Sequence, residues 1–188
     1  MIKAIIFDWF GVCTEEFTKP LSRAFKQEFG KNKKFVIESY KKYELALILR
    51  KTSTKNVLKI MFQDLNIDKD ADAYLYIFDS MTNINNRIFQ LIKKLKNNYR
   101  IVLLSDNFDE MTKTIRRYLD LNEYFNVTIF SNEVGLVKRE IRIYKFVINK
   151  LKLKANECIF IDDKKENINR GKKLGINGIL FLNIIQLK

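Results

Sequence analysis

Five short, continuous apolar runs place the strongest limits on the fold of this 188-residue chain. They occupy residues 3–8, 100–105, 127–131, 158–162 and 178–182, and they read KAIIFD, RIVLLS, VTIFS, CIFID and GILFL. Runs of this kind are typical of strands that are buried on both faces of a parallel sheet. Apolar residues at helical spacing lie between the later runs, and alternation of strands with helices favours a doubly wound α/β fold. We therefore predict a Rossmann-like parallel sheet.

The interval between the first two runs has a different pattern. From about residue 14 to residue 83 it contains no strand-like run. Its apolar residues recur instead at helical spacing, first at Leu21, Ala24, Phe25 and Phe29, and again at Leu58, Met61, Phe62 and Leu65. We predict a helical cap of residues 14–83, inserted into a core of residues 1–13 and 84–188. Because α/β folds bind ligands at the carboxyl ends of their strands, a cap inserted after the first strand would lie over the site.

Composition limits the chemistry that is available. The absence of histidine excludes Ser-His-Asp and Cys-His catalysis, histidine-ligated zinc and a histidine general base. A net charge of +13 is compatible with a nucleic-acid partner. However, the lysines are spread along helical segments and no nucleic-acid motif is present, so we predict no such partner.

The amino-terminal residues do not show the pattern of a targeting signal. Its apolar run is too short for a signal peptide or a membrane span. We therefore expect a cytoplasmic protein without a membrane partner, with Cys13 and Cys158 as reduced thiols. No feature of the sequence indicates an oligomeric state.

Polar side chains follow four of the predicted strands. They are Asp8, Ser105, Ser131 and the pair Asp162 and Asp163. In a parallel sheet these strand ends share one edge, so three carboxylates would converge and repel one another unless a cation neutralises them. Mg²⁺, which prefers oxygen ligands, is the natural neutraliser.

Helix capping is the alternative interpretation of a single aspartate at a strand–helix turn. For Asp106 we prefer that interpretation. For Asp8, Asp162 and Asp163 together, capping alone is a weaker explanation, because caps do not require the same acid-after-strand arrangement at both places.

Four segments, taken in order, resemble the motifs of the haloacid dehalogenase superfamily. They are Asp8-Trp9-Phe10-Gly11-Val12, Ser105-Asp106-Asn107, Gly135-Leu136-Val137-Lys138 followed by Ile143-Tyr144, and Asp162-Asp163 with Asn167. The resemblance extends from residue 2 to about residue 182. It includes sugar-1-phosphate phosphatases and members similar to the amino-terminal, phosphatase half of soluble epoxide hydrolase.

The resemblance implies a phosphatase mechanism for three of these residues. Asp8 would attack phosphorus to give an aspartyl-phosphate, which water then hydrolyses. Ser105 would form a hydrogen bond to a phosphoryl oxygen. Lys138 would place a positive charge against Asp8 and the transferring group.

The resemblance also implies a metal site and a substrate-binding set. Mg²⁺ would be held by Asp8, the backbone carbonyl of Phe10 and Asp163, with Asp162 acting directly or through water. The predicted substrate-binding residues are Trp9, Phe10, Asp106 and Asn107, with Trp9 and Phe10 forming an apolar pocket floor unless they belong to the core.

Two departures from the family pattern bear on this prediction. Phosphatases of the family commonly carry a second aspartate, two residues after the nucleophile, as general acid and base. This chain has Phe10 there. Relatives commonly have Pro-Asp-Pro where this chain has Arg139-Glu140-Ile141, and the change would loosen the turn that aims Lys138.

We therefore predict a Mg²⁺-dependent phosphomonoester hydrolase acting on a small, sugar-like phosphorylated metabolite. One alternative is a 2-haloacid dehalogenase that uses Asp8 on carbon, and another is a non-catalytic member that binds a phosphate ligand or a partner protein. Family dehalogenases also lack the second aspartate, but they need no metal and their fourth motif differs. Retention of Asp162 and Asp163 favours the phosphatase.

Overall fold

Five parallel strands form the central sheet in a computed structural model that describes residues 1–79 and 83–187. The strands are β1 (Ala4–Phe7), β2 (Arg100–Ser105), β3 (Val127–Phe130), β4 (Cys158–Asp162) and β5 (Asn177–Leu180). Their order across the sheet is β3-β2-β1-β4-β5, so β1 is central and pairs with β2 and β4. The predicted α/β fold class is confirmed.

Helices fill the intervals between the strands. Those between β1 and β2 are α1 (Thr18–Phe29), α2 (Lys33–Ile48), α3 (Thr54–Asp64), α4 (Tyr76–Asp79) and α5 (Asn86–Leu95). Those after β2 are α6 (Asp109–Tyr118), α7 (Leu121–Tyr124), α8 (Ser131–Val134), α9 (Ile141–Leu151) and α10 (Lys165–Lys172). Short 3₁₀ turns occupy Ala71–Tyr74, Ala155–Glu157 and Ile184–Leu187. No helix among the described residues is both long and apolar enough to cross a membrane.

Local signals set the ends of the first helices. α1 ends at Gly30, whose φ of 66° is the left-handed conformation that glycine adopts without strain. The side chain of Asn32 then accepts a hydrogen bond from the Lys34 N–H at the start of α2, and Ser53 caps α3 in the same way through Asn56. These turns let three helices follow one another closely over the sheet.

Alternate residues of the strands are buried in two different hydrophobic clusters, one on each face of the sheet. Ile6 and Leu104 belong to a cluster on one face that packs against α9. Ile5 and Leu103 belong to a cluster on the other face, which continues into α1 and α3. The inserted helices therefore share an apolar core with one face of the sheet.

The chain leaves the sheet and returns to it through two segments that lie side by side. The N–H of Glu15 donates to the carbonyl of Asn83 at 3.2 Å, and the N–H of Asn85 donates to that of Cys13 at 2.8 Å. Between these bonds, Thr14 and Ile84 form an antiparallel bridge. This crossing coincides with the ends of the predicted cap of residues 14–83, whose residues 80–82 lie outside the described part of the chain. The domain boundaries themselves stay a prediction.

Candidate active site

A buried lysine lies between two carboxylates at the carboxyl edge of the sheet. Asp8 directly follows β1, and its N–H continues the ladder by donating to the carbonyl of Ile161 in β4 at 2.9 Å. Asp162 ends β4. Lys138, from the loop between α8 and α9, places its Nζ 2.6 Å from Asp8 Oδ1 and 2.8 Å from Asp162 Oδ2.

Burial makes the charges of these three groups interdependent. Burial and the carboxylate of Asp162 raise the pKa of Asp8 well above its usual value, against the opposing effect of Lys138. Burial would lower the pKa of Lys138, but the carboxylates of Asp162 and Asp8 raise it well above its usual value. Burial likewise opposes ionisation of Asp162, whose pKa is nevertheless lowered by Lys138. Lys138 is therefore a fixed cation, and Asp8 needs further positive charge to stay ionised.

The loop that carries Lys138 is held by two polar side chains. Tyr144 donates from its hydroxyl to the carbonyl of Lys138 at 3.0 Å. Asp106 Oδ1 accepts the N–H of Lys138 at 2.9 Å and also the hydroxyl of Ser131. The predicted N-cap role of Asp106 is wrong, because α6 begins at Asp109 and Phe108 occupies its N-cap position. Asp106 instead organises the Lys138 loop, and these bonds oppose the loosening expected from the sequence after Lys138.

The carboxylates at this edge have the arrangement that a divalent cation requires. Asp8, Asp162 and Asp163 each offer one oxygen, and the three oxygens lie within 4.8 Å of one another. Asp163 Oδ1 is buried and has no hydrogen-bond partner among the described residues. Gly11 makes room for this side chain, since a Cβ at that position would lie 2.2 Å from Asp163 Oδ2. The set fits a hard cation such as Mg²⁺.

The three acids differ in how many of their oxygens are available. Asp162 accepts hydrogen bonds from the Lys164 N–H and from Asn167 Nδ2 in addition to its contact with Lys138. Asp163 Oδ1 has no such partner, which makes Asp163 better placed than Asp162 for direct coordination. Burial and the neighbouring Asp162 raise the pKa of Asp163.

The other predicted site residues divide between the site and the core. Ser105 ends β2. In the described part of the chain, its buried hydroxyl and the side-chain amide nitrogen of Asn107 have no hydrogen-bond partner. Trp9 is fully buried with its ring 6.0 Å from that of Phe89, so its side chain belongs to the core rather than to the pocket floor. Only its backbone reaches the site, donating to Asp8 Oδ1 at 2.7 Å. Phe10 does line the cavity.

A cavity of about 270 Å³ opens above these groups. Its core side includes Asp8, Phe10, Asp106 and Lys138. Its opposite side, called the cap side below, is formed by Glu16 and Phe17, which precede α1, and by Tyr40, Lys41 and Glu44 of α2. The sequence did not predict the second set of residues. Helical periodicity identifies the buried face of a helix, but it does not show which polar residues line a cavity.

Comparison with known proteins gives relatives of several activities. A phosphorylated carbohydrates phosphatase of Thermotoga maritima is 24% identical over 191 residues, covering 95% of this chain and 84% of the relative. Bifunctional epoxide hydrolase 2 of Rattus norvegicus is 36% identical over 75 residues, which are 40% of this chain and only 14% of that relative's length.

Solved structures of similar fold also include more than one activity. A mutant haloacid dehalogenase family enzyme of Bacteroides thetaiotaomicron, in complex with magnesium and inorganic phosphate, has a TM-score of 0.81 at 20% identity and covers 100% of this chain and 98% of its own. An L-2-haloacid dehalogenase has a TM-score of 0.73 at 13% identity, over 95% of this chain and 83% of its own. At these identities the likeness is one of fold. The family model for haloacid dehalogenase-like hydrolases matches residues 2–175, and the chain belongs to that family.

Proposed function

We propose that the chain is a Mg²⁺-dependent phosphomonoester hydrolase that acts on a small, sugar-like phosphorylated metabolite, with Asp8 as nucleophile. The observation that carries this proposal is the convergence of Asp8, Asp162 and Asp163, of which Asp8 and Asp162 pair with the buried ammonium group of Lys138. Three carboxylates outnumber one ammonium group, so an anionic ester can approach only if a further cation is bound. A 2-haloacid is also an anion, but its reacting carbon carries no negative charge, so attack on it would not need a cation at the reacting centre.

The contacts of Asp8 suit nucleophilic attack on phosphorus. Its Oδ1 is held by Lys138 Nζ and by the N–H of Trp9, which fix the orientation of the carboxylate. Attack would form an Asp8 oxygen–phosphorus bond and break the ester bond, and water would then attack phosphorus to release phosphate and restore Asp8. The unpartnered hydroxyl of Ser105 is available to bind a phosphoryl oxygen. Lys138 would balance negative charge on the transferring group.

The residues that would hold Mg²⁺ are Asp8, the Phe10 carbonyl and Asp163, with Asp162 engaged through water. Within the described residues the Phe10 carbonyl accepts no backbone hydrogen bond. When bound, the ion would neutralise the acids and polarise a phosphoryl oxygen. Ser105 and Lys138 would orient the phosphoryl group of the ester for attack by Asp8.

Two relatives support this choice without deciding the substrate. The Thermotoga maritima relative is named for phosphorylated carbohydrates, and the Bacteroides thetaiotaomicron enzyme was crystallised with magnesium and phosphate. A cavity of about 270 Å³ suits a metabolite of sugar size.

The apolar ring of Phe10 beside Asp8 and the fold shared with an L-2-haloacid dehalogenase favour the second candidate, a dehalogenase. The deciding experiment incubates the purified protein with a panel of sugar phosphates and with 2-chloropropionate, each in Mg²⁺ and in EDTA. We expect phosphate release only in Mg²⁺, with the Asp163→Asn variant losing it and the exposed Asp68→Asn variant retaining it. Halide release in EDTA without phosphate release would overturn the proposal.

A further inference from the structure

Cleavage of an alkyl phosphate leaves an alkoxide that needs a proton, and most acids at the sheet edge are already engaged. This inference rests on the proposed function. Asp162 is bound by Lys138 and Asn167. Asp106 Oδ1 is held by the N–H of Lys138 and the hydroxyl of Ser131. Phe10, which lines the cavity next to the nucleophile, has no proton to transfer.

Glu16 is placed differently from these acids. It lies in the segment between β1 and α1, is half-buried, and lines the cavity together with Asp8 and Phe10. In the part of the chain that the structure describes, no side chain or backbone N–H binds its carboxylate. Glu15, its neighbour, is instead held by the guanidinium of Arg23 through two bonds of 2.9 and 2.6 Å.

The electrostatic influence of Glu16 places it between the core acids and the cap. Burial and Asp162 raise the pKa of Asp163, and the carboxylate of Glu16 adds to that rise. Glu16 also contributes, after burial and Glu44, to the raised pKa of Tyr40 on the opposite wall. Together with its place in the cavity lining, this puts Glu16 within electrostatic range of both walls.

The remaining cavity acids are less suited to proton transfer. Glu44 faces Arg139 as an ion pair on the cap side. Glu166 is exposed in the first turn of α10. Burial raises the pKa of Tyr40 well above its usual value, so its phenolate would be inaccessible as a base.

We propose that Glu16 is the general acid and base of this hydrolase and that it takes the role for which Phe10 has no group. In the first step an Asp8 oxygen bonds to phosphorus, the phosphorus–ester oxygen bond breaks, and the leaving oxygen takes the proton of the Glu16 carboxylic acid. In the second step the Glu16 carboxylate takes a proton from water as the water oxygen bonds to phosphorus. The bond between phosphorus and Asp8 breaks, its electron pair returns to Asp8, and Glu16 is protonated again.

The first arm of the test compares two neighbouring glutamates on two esters. Glu16→Gln and the control Glu15→Gln are assayed in Mg²⁺ with a sugar phosphate and with p-nitrophenyl phosphate, whose leaving group needs no proton. We expect Glu16→Gln to lower kcat/KM on the sugar phosphate by about 10²–10⁴-fold and on the aryl ester by much less. Glu15→Gln should leave both values within about twofold, because the Glu15 carboxylate pairs with exposed Arg23 and does not line the cavity.

The second arm isolates the water-activating step. Because the aryl ester should still phosphorylate Asp8 in Glu16→Gln, rapid mixing should show a burst of about one p-nitrophenolate per enzyme, followed by slow turnover. Introducing Phe10→Asp into Glu16→Gln should restore sugar phosphate turnover by a larger factor than Phe10→Asp produces in the wild-type protein.

The outcomes separate this inference from the proposed function. If the wild-type protein hydrolyses both esters but Glu16→Gln lowers both equally, or neither, Glu16 is not the acid and base while the phosphatase proposal stands. If the wild-type protein hydrolyses neither ester in Mg²⁺, the proposed function fails and this inference fails with it. Circular dichroism of each variant confirms that the folded state is retained.

Discussion

The core side and the cap side of the cavity hold their charges in different ways. On the core side, Lys138 lies 2.6 Å from Asp8 and 2.8 Å from Asp162, and the three side chains are at most 5% exposed. On the cap side, Glu44 pairs across 3.5 Å with Arg139, which follows Lys138 in the core loop and whose side chain is 56% exposed. Buried, preorganised charges act strongly on a reacting group, whereas exposed pairs are screened by water. Under the proposed function, the core side would carry the chemistry and the cap side would contact the rest of the substrate.

The largest loss of activity is expected when the proposed nucleophile on the core side is removed. Asp8→Asn should lower phosphatase activity by about 10⁴-fold or more, because the amide cannot form the phosphorylated intermediate. Burial already disfavours the charged form of Asp8, so the neutral amide should not lower the thermal midpoint. Activity and Tm are measured together, with Asp68→Asn as the control. Undiminished turnover in folded Asp8→Asn would show that another group attacks.

Removing the cation of the same cluster tests its electrostatic role. Lys138→Met should lower activity by about 10²–10³-fold. It should also lower the free energy of unfolding by about 3–5 kcal/mol, because Asp8 and Asp162 would face each other without a counter-ion. Urea unfolding measures the loss, and Mg²⁺ should recover part of it by replacing the missing charge. The control is Lys145→Met, on the exposed side of α9. Equal stability of both variants would mean that Lys138 is not the structural counter-ion of the site.

Phe10 lies where the two sides meet, and its replacement sharpens the comparison. Phe10→Asp should raise kcat/KM on a sugar phosphate by about 10-fold and less on p-nitrophenyl phosphate, since only the alkoxide needs a proton. The ring packs against Phe17 with centroids 5.7 Å apart, so its loss should also cost about 2 kcal/mol of stability or more. The ratio of the two kcat/KM values in folded protein is the measurement. A folded, Mg²⁺-dependent variant without a preferential gain on the alkyl ester would show that position 10 cannot supply the proton.

The sequence allowed prediction of the core side because its signals are local. Buried strands have continuous apolar runs, and in a parallel sheet the residues after them share one edge, which places Asp8 beside Asp162. The same reasoning failed for Asp106. Its partner, the N–H of Lys138, lies 32 positions away, and no local pattern distinguishes that contact from a helix cap.

The cap side resisted prediction for a different reason. Glu15 and Glu16 are adjacent residues of one type, yet one pairs with Arg23 and the other lines the cavity. Both follow the bridge between Thr14 and Ile84, a long-range contact that the local sequence does not reveal. Trp9 shows the reverse case, a residue predicted to line the pocket whose ring packs in the core against Phe89. Its position beside Asp8 in the sequence does not show which way the ring points.

The smallest expected effect concerns the ion pair that joins the two sides. Arg139→Ala should change KM for the sugar phosphate by a few-fold and leave kcat nearly unchanged, because Arg139 lines the cavity mouth without touching Asp8. The matched control is Arg142→Ala, which removes an exposed pair with Glu140 that does not reach the cap. A double-mutant cycle with Glu44→Gln should give a coupling energy of about 0.2–1 kcal/mol, the range of exposed pairs. Since water and salt screen such pairs, the coupling should disappear at about 1 M salt, where the Debye length is only about 3 Å. A salt-resistant coupling of several kcal/mol would mean that the cap side is as rigidly organised as the core side, and the contrast between them would be lost.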